Sequence, residues 1–167
     1  MMGPFWSVRR TVAVEAAVLL GVAVLVGTAW ASGAKAIDQK AAAEAQRMFT
    51  TTCATCHGTD GEGDGPASFG LATPPQDYSD KEWQKTVTNR EIMEAILFGG
   101  APVGLSPDMR ANPVLKDKPE VLAALAQMVR SFAGVPEDPV KLLKVAEEVV
   151  KETKPHKNMS KQRRAKK

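Results

Sequence analysis

Cys53-Ala54-Thr55-Cys56-His57 constrains this chain more than any other stretch. The 167 residues include two cysteines, and both sit in this unit, with a histidine directly after the second. No disulfide framework can be built from them beyond one tight local loop. A structural zinc site needs four Cys or His ligands, whereas the chain offers Cys53, Cys56, His57 and a remote His156 in a polar stretch. A thioredoxin-like dithiol belongs at a strand-to-helix junction. Here the pair follows a helical pattern, and no stretch alternates apolar and polar residues with period two over a useful length.

Two thiols at this spacing can each form a thioether to one of a porphyrin's two vinyl groups. The histidine that follows then lies under the ring, where its imidazole can ligate the iron. Cys-x-x-Cys-His is a haem attachment signature for that geometric reason. One covalently bound haem c is therefore the expected cofactor. Composition points the same way: three Trp, one Tyr and five Phe provide little aromatic bulk. A large apolar cofactor completes a core that protein atoms alone leave thin.

The N-terminus indicates export. Arg9-Arg10 precede a largely apolar run from Ala16 to Ala31, and Ala29-Trp30-Ala31 and Ala34-Lys35-Ala36 are candidate cleavage triplets. Residues 1–35 thus read as a signal peptide or a retained membrane anchor. The flanks of the arginine pair fit a twin-arginine signal poorly. Either way, the arginines stay cytoplasmic and the bulk of the chain lies on the periplasmic side of the bacterial cytoplasmic membrane.

Ile37, Ala41, Ala45, Met48, Phe49 and Thr52 recur at helical spacing, which predicts a helix over about 36–51 that ends at the cysteines. A Gly-, Pro- and Asp-rich loop is expected from Gly58 to about Asp80. A second helix begins near Thr88 or Asn89, carries Ile92, Met93, Ile96 and Leu97, and stops at Gly99-Gly100. After a loop from Ala101 to about Lys116, a third helix starts at Asp117-Lys118-Pro119. Its stripe is Val121, Leu122, Leu125, Met128, Val129 and Phe132, up to Gly134. Asp138-Pro139 opens an amphipathic helix to about Thr153, and a basic tail expected to be disordered follows. The fold class is all-α. Its expected units are 1–35, a domain at 36–134, and a helix with tail at 135–167.

Over about residues 36–134 the sequence resembles the class I cytochrome c family. Phe49, four residues before Cys53, matches the aromatic of the family's N-terminal helix. Cys53-Ala54-Thr55-Cys56-His57-Gly58, followed by Gly61-x-Gly63-Asp64-Gly65-Pro66, is similar to the attachment loop of many bacterial members. Leu122-x-x-Leu125-x-x-Met128-Val129-Arg130-Ser131-Phe132 is similar to the closing helix, with Met128 where an aromatic is common. The resemblance implies about three main helices around one haem, with the first and last helices crossing.

It also bears on the iron. A sixth ligand present in both redox states suits electron transfer, and a His/Met pair raises the potential. Met93 and Met128 lie on apolar helix faces, where methionine usually fills the core, and Met159 lies in the charged tail. Met109, in a Pro-rich loop, resembles the family's ligand and is the expected distal partner of His57. In this family a proline of the following loop commonly supplies a carbonyl to the proximal histidine, so Pro74 or Pro75 is the candidate here. Tyr78 and Trp83 are candidates for bonding the haem propionates or for plain packing.

The function so implied is single-electron transfer in a respiratory or photosynthetic chain, as free carrier or complex subunit, rather than enzymatic catalysis. The alternative, a haem enzyme or gas sensor, requires an open iron site, and no His, Arg or Tyr cluster suggests peroxide chemistry. The formal net charge of +3 conceals an acidic body and a basic end, since residues 151–167 hold eight basic side chains against Glu152. That end is a candidate for docking on an anionic membrane surface or a membrane complex, and Asp60, Glu62 and Asp64 for steering a basic redox partner. No nucleic-acid partner is expected.

Overall fold

Six helices, two short 3₁₀ turns and irregular connections make up residues 37–156, the part that the computed structural model describes. The expected signal or anchor at 1–35 and the tail from 157 onward, including Met159, lie outside the described residues. Helix α1 (Gln39–Met48) starts where the Asp38 carboxylate accepts the Ala41 N–H at 2.7 Å, which satisfies one of the orphan donors of a helix start. Its buried face is Ala41 and Ala45. With no side chain beyond Cβ there, another helix can cross closely. The one that packs on it is α5 (Pro119–Ser131), which itself buries Ala123, Ala124 and Ala126.

The first helix does not end at the cysteines as its periodicity suggested. Helical backbone runs on through a π turn, Phe49–Cys53, into α2 (Ala54–His57). The hydroxyls of Thr50 and Thr51 donate to the carbonyls of Gln46 and Arg47 at 2.7 and 2.8 Å. Such back-bonding competes with the amide donors and favours a wider turn. Gly58, at φ 76°, then stops the run.

A short helix, α3 (Lys81–Thr86), occupies what the sequence left between loop and helix. Six residues show no periodicity to read. It forms because Asp80 caps the amides of Glu82 and Trp83 at 2.8 and 3.2 Å, and because its far end is tied to α5. Helix α4 (Asn89–Phe98) begins with a full capping box between Thr88 and Glu91 and ends at Gly99. The loop after it contains 3₁₀ turns at Ala101–Val103 and Pro113–Asp117. Helix α6 (Pro139–Val149) is capped by Asp138 and stops short of Thr153. There the amides of Lys151 and Glu152 switch to carbonyls three residues back.

Helix α6 packs on α4 and α5. Its Leu142, Leu143, Ala146 and Val149 join the same buried cluster as Met93, Leu122 and Leu125. Each fully buried Leu or Val adds roughly 1.5–3 kcal/mol. The core therefore continues past residue 134, where the family resemblance ends. Among the described residues no helix is long and apolar enough to cross a membrane.

Candidate haem-binding site

Cys53, Cys56 and His57 line one cavity of about 1190 Å³, and so does Met109 from the loop between α4 and α5. Small-molecule pockets usually span roughly 300–1,000 Å³, so a group of porphyrin size has room here. Ile92 and Ile96 of α4 and Leu125 and Val129 of α5 form apolar wall.

The geometry of His57 suits a metal ligand. Its Nδ1 faces the carbonyl oxygen of Gln76 at 3.4 Å, and the Tyr78 hydroxyl lies 3.1 Å from Nε2. With the proton on Nδ1, Nε2 keeps its lone pair. Iron ligation and the Tyr78 bond are then alternative uses of that pair. Burial lowers the His57 pKa, against the opposing pull of Gln76, and keeps the ring in the neutral form that metals need. The carbonyl partner is Gln76, not Pro74 or Pro75. The Pro75 carbonyl instead lies against Gly63, where a Cβ would sit 2.7 Å from its oxygen.

The Cys53 thiol is not activated for redox exchange. Burial, with Cys56 adding to it, pushes the Cys53 thiol up to about 11. A dithiol enzyme needs the opposite shift. Close approach of the attachment loop requires small residues: a Cβ on Gly65 would collide with the carbonyl oxygens of Ala54 and Thr55. Gly61, at φ 75°, lies where a Cβ would sit 2.8 Å from the Phe132 ring. That ring packs on Phe49 with centroids 5.2 Å apart.

Met109 is held from both sides. Its carbonyl accepts the Gly100 N–H at 2.9 Å, and the Asn112 side chain donates to the carbonyl of Ile96 at 2.9 Å, stapling the loop to the end of α4. Met93 is fully buried in the core and does not line the cavity, nor does Met128. Tyr78 stacks on His57 with ring centroids 4.6 Å apart. Trp83 also lines the cavity, and its indole N–H is buried without an acceptor among the described residues. A lone donor on an apolar wall suits an acidic substituent of a bound group.

Sequence reading missed Gln76, Gln84, Asn112 and Arg130. For Arg130 a signal existed: it falls four residues after Ala126 and eight after Leu122, on the apolar stripe of α5. The others carry no local pattern.

The sequence matches the cytochrome c family model over residues 42–131. The cbb3-type cytochrome c oxidase subunit CcoP of Rubrivivax gelatinosus is 35% identical over 107 residues, covering 64% of this chain and 31% of that protein. The chain thus spans about a third of that relative's length. No solved structure matches. With the match covering more than half of its residues and the attachment motif on the cavity wall, the chain belongs to the cytochrome c family, as a haem c electron-transfer protein.

Proposed function

We propose that this chain is an exported electron-transfer partner of a membrane-bound respiratory oxidase, with Cys53 and Cys56 as the thioether attachments of one haem. His57 is the proximal iron ligand and Met109 the distal one. The observation that carries this reading is that Met109 and the Cys-x-x-Cys-His unit line one largely apolar cavity. A covalently held haem supplies one-electron chemistry at its iron. The chain would hold the iron through His57 and Met109, exclude water with Ile92, Ile96, Leu125 and Val129, and set the His57 tautomer through Gln76. The oxidase assignment is supported by the CcoP relative. Residues 1–35 direct export or anchor the chain, and the basic end at 151–167 docks it on an anionic membrane surface or on the complex.

The test expresses the full chain with a c-type cytochrome assembly system. Haem should stay with the polypeptide on a denaturing gel, and Cys53→Ala with Cys56→Ala should abolish that staining. Mild detergent extracts of the source membranes should yield the haem-stained chain together with a terminal oxidase. Haem staining that survives the double substitution sinks the attachment. Recovery of the haem-loaded chain only as a free periplasmic protein sinks the oxidase assignment and leaves the haem site standing.

A further inference from the structure

Arg130 is 4% exposed, and its side-chain hydrogen bonds run to the segment from the end of α3 to the start of α4. Nε donates to Asn89 Oδ1 at 2.7 Å. Nη1 donates to both the carbonyl and the side-chain oxygen of Gln84, and Nη2 to the carbonyl of Val87, all at 2.8 Å. Gln84, equally buried, donates from Nε2 to the carbonyls of Tyr78 and Val129 at 2.8 Å each. Glu137 balances the charge, 3.4 Å from Arg130 Nε.

This arrangement answers a specific deficit. A helix leaves its last carbonyls without partners, and one of six residues is too short to hold itself together. The Val87 N–H and the Thr86 hydroxyl take the carbonyl of Trp83, and Arg130 takes that of Gln84 in the same turn and that of Val87 just beyond it, so α5 completes the capping of α3. What α3 and its flanks carry is cavity wall: Tyr78, Trp83 and Val87 all line the site. Tyr78 and Trp83 also touch each other, with ring centroids 5.7 Å apart.

We propose that Arg130, acting through Gln84, is a positioning residue of the haem pocket. It clamps the end of α3 so that Tyr78, Trp83 and Val87 keep their places, and with them the dryness that the iron experiences. Burial and hydrogen bonding around a haem set its potential. A loosened wall admits water, and water stabilises the more highly charged ferric state. The inference rests on the bound haem and is independent of the oxidase assignment.

The test uses full-length holoprotein carrying Arg130→Met or Arg130→Lys, with Leu142→Ala as a control that weakens the core away from the cavity. Three quantities are read: melting temperature, the ferric-to-ferrous ratio at fixed solution potential, and hydrogen exchange of the Trp83 indole N–H. Arg130→Met should move the ratio toward ferric by about threefold or more, where tenfold corresponds to about 59 mV for one electron. Indole exchange should accelerate by about tenfold as the clamp opens more often. Leu142→Ala should lower the melting temperature and move neither. Arg130→Lys should recover part of the melting loss only, because one ammonium cannot span the acceptors that a guanidinium fork reaches. Should Arg130→Met not fold, the lysine variant set against Leu142→Ala decides by the same criteria. Matching ratio and exchange in the Arg130 variants and Leu142→Ala overturns the proposal, as does complete rescue by lysine.

Discussion

His156 Nδ1 lies 2.7 Å from Glu94 Oε1, and the His156 backbone N–H donates to the other oxygen of the same carboxylate at 3.2 Å. Glu94 is 1% exposed on α4, so the segment after α6 supplies bonds to a carboxylate buried on another helix. Arg90 approaches it at 3.6 Å and also binds Glu148 and Glu152, at 2.9 and 2.6 Å.

A pH dependence follows, with its sign set by histidine. The hydrogen bond and charge of Glu94 raise the His156 pKa above its ordinary 6.5, with Glu152 adding and burial and Arg90 opposing. The contribution is therefore full below about pH 6.5 and is lost as pH rises through the folded value. His156 is exposed, so the effect is small. The melting-temperature advantage of wild type over His156→Gln should be widest in mild acid and narrow toward alkaline pH. A gap that stays flat across that range contradicts the linkage.

Replacing the proposed distal ligand should change the iron without dismantling the fold. Met109→Ala is expected to lower the reduction potential, because thioether ligation raises it, and to let carbon monoxide bind the ferrous protein. Spectroelectrochemistry and carbon monoxide difference spectra check both. Retention of the wild-type potential in Met109→Ala, with its loss in Met93→Ala, moves the role to Met93.

Helix α6 should prove part of the folding unit. Leu142 is fully buried against the shared core, and Leu142→Ala should cost about 2–5 kcal/mol in denaturant unfolding. A chain ending at Gly134 exposes the faces of α4 and α5 that α6 covers, and should lose cooperative unfolding. One ending at His156 should keep it. Equal stability of all three chains would show α6 to be dispensable.

The chemistry of the site was legible because it is local. Two thiols and a histidine at fixed spacing define haem attachment wherever the chain goes, whereas Met109 was singled out by its resemblance to the family's ligand loop, and it is the fold that brings it to the same cavity wall. The long helices were legible for a related reason: the stripes of α4, α5 and α6 repeat with the helical period over ten or more residues.

What tertiary structure decided is everything that depends on partners far apart in sequence. The six residues of α3 carry no period, and the ends of that helix are held by Asp80 and by Arg130, 46 residues beyond Gln84. The carbonyl facing His57 comes from Gln76 rather than a proline because the loop path, not residue type, selects which oxygen meets Nδ1. The place of α6 in the core was likewise undetermined, since an amphipathic stripe states that one face must be covered and not what covers it. By itself the sequence determined the haem chemistry and the helical stripes, which are short-range properties of the covalent chain. Only the fold decided which buried polar atoms would meet, because each such pair forms only when distant segments close around a common core.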